Sequence, residues 1–299
     1  MCGEAVRDTG EHGDAYERFI GRWSNLVAVE FLDWLELPGG LRWVDVGCGT
    51  GALSEAILDR CDPTSVDGVE PSAGFVRAAL KRLGDRATLH QAAADNMPLR
   101  DGSADVVVSG LVLNFIPDLP AAFAEMKRIA SGGIVGAYVW DYGGGMDMLR
   151  LFWDAADEVD PDGIADEGSR FPICRPDALT AAFTDAGLDH PELVPLDIAT
   201  PFADFDALWT PFTGGQGSGP SYLVSLDAER HLRSRRACAS GSQSIPTGRF
   251  RCSLAPRLSG ARFASRASVF HELVSPVSRV RSGSWPRRML RPQRPCRTL

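Results

Sequence analysis

Asp45 is followed by glycines at positions 47, 49 and 51, and this acid with three alternate glycines is the stretch most suited to chemistry. Glycine tolerates left-handed backbone and carries no Cβ, so such a loop turns tightly and lets a ligand come close to its main chain. An apolar run, Trp43 to Val46, leads into it, and a helical run, Ala52 to Arg60, follows. Strand, glycine turn and helix together form a nucleotide pocket at the carboxyl end of the first strand of an open α/β sheet. A second acid, Glu70, ends the next strand-like run 19 residues beyond Gly51. At that distance a carboxylate can accept hydrogen bonds from both hydroxyls of a ribose, and it repels a 2′-phosphate. The plainer alternative for Glu70 is a surface residue at a strand end.

The elements that must hold these groups recur in order along the chain. Strand-like runs cover Ala87 to Gln91, Ala104 to Ser109 and Gly132 to Trp140, with helical runs between them. Ligands in such sheets sit beyond the carboxyl ends of the strands, which marks Ser109, Gly110 and Asn114 as pocket residues. Asp141 and Tyr142 top the fifth strand and are the weak candidates for a catalytic base. The spacing predicts an amphipathic helix from Asp14 to Leu37, ended by Pro38-Gly-Gly40 and packed over the site. Its Tyr16, Arg22 and Trp23 are candidates to touch a ligand. Trp23 reads more readily as core, whereas Arg22 suits a carboxylate partner.

The spacing Gly-x-Gly-x-Gly with an acid two residues ahead is not the dinucleotide spacing Gly-x-Gly-x-x-Gly. It resembles motif I of the class I S-adenosylmethionine-dependent methyltransferases, and the likeness extends from Tyr16 to about Trp140. The branch most similar is that of small-molecule methyltransferases of the quinone-biosynthesis type. The resemblance implies a Rossmann-like, doubly wound, mostly parallel sheet with helices on both faces. It implies S-adenosylmethionine as cofactor and a small-molecule acceptor with an O, N or C nucleophile. It assigns the loop after strand three, Asp95, Asn96 and Met97, to the adenine, and Asp45 to ordering the turn and attracting the amino group. No metal is implied. An oxidoreductase of NAD type is disfavoured by the missing third dinucleotide glycine, and an inactive cofactor-binding homologue remains the runner-up.

Beyond Gly143 the pattern weakens. Helices are expected over Met146–Val159 and Pro176–Ala186, and a sixth strand over Glu192–Ile198. Phe152, Trp153, Phe171, Trp209 and Phe212 fit an apolar acceptor pocket and fit ordinary core equally well.

The net charge of −8 conceals a split. Residues 1–230 carry a balance of −22, and residues 231–299 carry +14, with 15 arginines, no lysine and the single acid Glu272. The acidic body argues against nucleic acid as a partner. The reversal sets an expected boundary near His231, with a methyltransferase domain over 1–230 and an Arg-, Ser- and Pro-rich tail over 231–299. That tail fits a basic arm, a disordered segment, or a GC-rich gene translated out of frame, the reading favoured by its composition. On that reading the seventh strand is lost. The tail's most apolar stretch is Ala267 to Ser275. Seven cysteines without metal-type spacing suit reduced thiols in the cytoplasm. The absence of a long apolar run argues against a membrane span.

Overall fold

The computed structural model describes residues 21–161, 166–188, 191–214, 218–242 and 248–255. One unit of the chain runs through Ala261; the second, Arg262–Leu299, lies outside the described residues, as does Ala267 to Ser275.

Seven strands form one sheet: β1 (Arg42–Val46), β2 (Ser65–Val69), β3 (Thr88–His90), β4 (Val106–Gly110), β5 (Ile134–Trp140), β6 (Pro195–Thr200) and β7 (Gly248–Ala255). Their order is β3-β2-β1-β4-β5-β7-β6. The first five pair in parallel, and β7 runs antiparallel to both β5 and β6. The order reverses between β1 and β4, and that switch point opens a crevice at the carboxyl ends of the strands. All seven residues of β5 are buried, as a strand covered on both faces must be.

The expected loss of the last strand is corrected. Gly248–Ala255 pairs with β5 from Ala137↔Ala255 to Trp140↔Cys252, and with β6 from Pro195↔Ser253 to Thr200↔Gly248. Sparse apolar content hid this strand, but a strand between two others gains ladder hydrogen bonds on both sides whatever its side chains. The boundary expected at His231 falls inside a helix, Ala228–Ser242, which packs on the helix Asp147–Val159. Charge complementarity accompanies that join: Arg230 reaches Asp160 at 3.5 Å and Arg235 reaches Asp206 at 2.6 Å.

The helices that position the crevice are α1 (Arg22–Leu35), α2 (Ala52–Arg60), α3 (Ala73–Leu83) and α4 (Leu119–Ala130). The start expected for α1 at Asp14 lies outside the described residues. α1 packs on the sheet and on α2. Phe31 lies tilted 4.8 Å from Tyr138, and Trp23 meets Phe202 edge-on at 5.7 Å in the core, so Trp23 is a packing residue. Ser72 caps α3 by accepting the Phe75 N–H, and Asp118 caps α4 by accepting the Ala121 N–H. Such caps satisfy otherwise orphaned donors and fix where each helix leaves its loop. At the entry to β1, Arg42 grips Asp105 through two side-chain nitrogens at 2.8 and 3.1 Å, setting the stagger of β1 against β4.

Candidate functional site: the glycine loop and the crevice above it

The loop from Gly47 to Gly51 joins β1 to α2 and is held by main-chain bonds. The Gly47 and Cys48 N–H groups both donate to the Val69 carbonyl, at 2.7 and 3.1 Å, and the Gly51 N–H closes the turn on Cys48 O at 2.8 Å. Gly47, Gly49 and Gly51 all have positive φ (71°, 54° and 88°). A Cβ on Gly47 would stand 2.4 Å from Val112, whereas one on Gly49 would meet no protein atom within 4 Å. The loop is therefore closed beneath and open at its tip, a cradle that a side chain would fill. Cys48 is buried against Gly68, and burial pushes its thiol well above the usual range, so it is packing and not a nucleophile.

Glu70 stands where β2 ends, its carboxylate nearly enclosed. It accepts the Gly49 N–H at 3.1 Å and the Ser72 N–H at 2.9 Å. Burial raises its pKa and these two bonds pull it back, because they favour the charged form. Asp45 is buried beneath the loop and accepts from Ser54 Oγ at 2.7 Å, which ties β1 to the first turn of α2. Burial raises the Asp45 pKa most, the Ser54 bonds lower it and the nearby Glu70 charge raises it, for a net value of about 7.

The remaining expected residues fall into different places. Asn114 lies in the turn Leu113–Phe115 off the end of β4, and its side-chain Nδ2 is buried with no hydrogen-bond partner. An unsatisfied donor beside the crevice costs free energy until an acceptor arrives. Asp95 and Asn96 are exposed on the loop after β3. Met97 is buried, with its N–H bonded to Glu125 at 2.9 Å, so it belongs to the floor of that loop. Ser109 departs from its expected part: it is fully buried, and its hydroxyl donates to Val46 O at 2.9 Å. That bond locks β4 to β1 under the crevice and leaves the hydroxyl proton spent. Arg22 opens α1, and Tyr16 lies outside the described residues.

At the tip of β5, Asp141 is half-buried, and Tyr142 is buried with its ring 5.8 Å from Phe171. Of the five aromatics read as pocket or core, Phe152, Trp153, Trp209 and Phe212 are core, with Phe152 and Phe212 stacked at 4.2 Å. Phe171 alone stands at the crevice side, where it meets the exposed Phe115 at 5.4 Å. Sequence reasoning missed Phe115, although it follows Asn114 directly. A separate cavity of about 610 Å³, lined by Asp147, Arg150, Asp154, Glu158 and Ser240 among others, includes no residue of the glycine loop. Among the described residues there is no group of three metal-ligating side chains, and no helix is long and apolar enough to cross a membrane.

The residues present fit S-adenosylmethionine. The open tip at Gly49 admits a ligand against main chain, Glu70 offers acceptors for ribose hydroxyls, and Asn114 offers a donor in want of a partner.

Comparison with known proteins agrees. Residues 44–135 match the family described as "Methyltransferase domain". The malonyl-[acyl-carrier protein] O-methyltransferase of Geobacter sulfurreducens is 34% identical over 154 residues, 51% of this chain and 57% of that protein. The chain thus spans little more than half the length of that relative. The ubiquinone biosynthesis O-methyltransferase of Aromatoleum aromaticum is 26% identical over 208 residues, 64% of this chain and 81% of that protein. In fold, the chain resembles a structure from Anabaena variabilis described as a methyltransferase from an antibiotic biosynthesis pathway. The TM-score is 0.56 at 17% identity, covering 77% of this chain and 96% of that one. The matched segment contains Asp45, the glycine loop, Glu70 and all of β4, so the crevice falls within it. Through that segment the chain is similar to the methyltransferase domain family, and its fold is that of the methyltransferase structure from Anabaena variabilis.

Proposed function

We propose that this protein transfers a methyl group from S-adenosylmethionine to a small-molecule acceptor. The observation that carries the reading is the unit made by the open tip of the glycine loop and Glu70, joined by a 3.1 Å hydrogen bond at the topological switch point. When bound, the cofactor would supply an electrophilic methyl carbon on its sulfonium, open to in-line attack by an O, N or C nucleophile with the thioether as leaving group.

The chain's own part is placement. Glu70 accepts the ribose hydroxyls, Asp95 and Asn96 border the adenine, Asn114 Nδ2 gives its hydrogen bond to the ligand, and ionised Asp45 attracts the amino group across the loop. Holding two reactants in line contributes up to about 7–11 kcal/mol in favourable cases, so positioning alone supplies much of the rate. Asp141, half-buried at the tip of β5, is the group best placed to take a proton from an acceptor that must lose one. Its thiol neighbour Cys174 is pushed up to about 12, chiefly by burial, and takes no such part.

The acidic body suits small molecules better than nucleic acid, and its free thiols suit the cytoplasm. The test is transfer from S-adenosylmethionine labelled in its methyl group to a panel of small-molecule acceptors. Labelled product in the presence of intact protein supports the reading, and its absence from every acceptor favours a cofactor-binding homologue without activity.

A further inference from the structure

Phe115 is 54% exposed, an uncommon state for a large aromatic in the turn directly off a central strand. Its neighbours make a wall of it. Phe171 meets it edge-on at 5.4 Å, and Tyr142 lies tilted 5.8 Å beyond Phe171. These three rings come from the end of β4, the tip of β5 and the segment Glu167–Cys174, which crosses to pack its last turn on the turn Leu113–Phe115. The Arg170 guanidinium stands over the Phe171 ring at 5.4 Å, and it also bonds the Ser218 hydroxyl. The crossing segment is not free to drift. Glu167 is buried and accepts from Trp153 Nε1 at 2.5 Å, and Gly168 lies so close to the Tyr142 carbonyl that a Cβ would stand 3.2 Å from it.

Resting on the methyl-transfer reading, we propose that this wall is the acceptor subsite, and that it takes a planar, conjugated acceptor bearing an anionic group. The wall lies at the carboxyl ends of β4 and β5, across β1 from β2 and Glu70, on the side of the switch point that the proposed ribose acceptor leaves open. An exposed ring beside two others offers edge and face contacts to another ring, each worth more than area alone. A planar guanidinium fixed over the same wall pairs with a carboxylate or similar anion in a fork geometry that an ammonium lacks. Transfer to a phenolic oxygen forms the new C–O bond as the donor's C–S bond breaks. The bond pair stays on sulfur, and the phenolic proton passes to Asp141 and from there to solvent.

The test uses full-length protein saturated with S-adenosylhomocysteine, titrated calorimetrically with 3,4-dihydroxybenzoate, with catechol as its neutral counterpart and with tricarballylate as a saturated acid. Methyl transfer to each probe is measured in parallel. Dihydroxybenzoate is expected to bind and to accept methyl, at least about tenfold better than tricarballylate. Phe171→Ala should weaken its binding about tenfold while leaving S-adenosylhomocysteine affinity unchanged. Arg170→Gln should erase the preference for dihydroxybenzoate over catechol, with catechol binding unaltered. Equal or better binding of tricarballylate, or dihydroxybenzoate binding indifferent to both substitutions, overturns the subsite. A protein that binds no S-adenosylhomocysteine at all overturns the methyl-transfer reading and this inference with it.

Discussion

The Gly49 N–H donates to Glu70 Oε2 at 3.1 Å, so the tip of the glycine loop is tied to the acid ending β2. Glu70→Ala removes the proposed ribose acceptor and the loop's hydrogen-bond partner together. Affinity for S-adenosylhomocysteine should fall about tenfold or more, the scale of a hydrogen bond to a charged group. Glu70→Gln, which keeps one acceptor oxygen, should fall less. Calorimetry on both variants checks this, and unchanged affinity in Glu70→Ala would put the ribose elsewhere.

The loop glycines should separate folding from binding. Gly47→Ala drives a Cβ to 2.4 Å from Val112 and should lower the melting temperature, at a cost of about 1–3 kcal/mol. Gly49→Ala meets no protein atom and carries only the left-handed strain of about 1–2 kcal/mol. Its effect should fall on the ligand, whose path the new methyl blocks. Melting curves and S-adenosylhomocysteine titrations of the pair decide the matter, and the reverse ranking would contradict an open loop tip.

Asp45 gives the protein a pH dependence. Its folded pKa of about 7 lies above the ordinary carboxylate range, so between that range and pH 7 the native state keeps a proton that the unfolded chain has lost. Its contribution to stability is therefore complete in acid and lost as pH rises to about 7. Cofactor binding should run the other way, because the ligand's ammonium favours ionised Asp45. Denaturation midpoints and binding constants across that window should show opposite slopes, both flattened in Asp45→Asn. Parallel slopes would remove Asp45 from the ligand's amino group.

Ser109→Ala tests a residue that belongs beneath the site. Losing its bond to Val46 O should cost about 1 kcal/mol of stability with little change in cofactor affinity. A binding loss larger than the stability loss would return the hydroxyl to the pocket.

Much of the crevice was legible because its signals are local. The Asp45 motif, the distance to Glu70 and the β-branched run before Ser109 each report backbone demands within a few residues of themselves. Ser109 was misread because a position at a strand's carboxyl end does not reveal which way its hydroxyl turns, and Val46 lies 63 residues away in sequence. Phe171 could not be separated from Phe152 or Trp209 for the same reason, since aromatic type is shared while burial is set by tertiary packing. β7 was hidden more deeply. Its place is dictated by the open hydrogen-bonding edges of β5 and β6, and an arginine-rich composition argues against a strand when read alone.

The central claim is that the loop at Gly47–Gly51 holds S-adenosylmethionine and not a dinucleotide. Isothermal titration of the full-length protein with S-adenosylhomocysteine, and separately with NAD, tests it most directly. The account predicts one-to-one binding of S-adenosylhomocysteine, weakened in Glu70→Ala, and no heat with NAD; saturable binding of NAD without any of S-adenosylhomocysteine would contradict it.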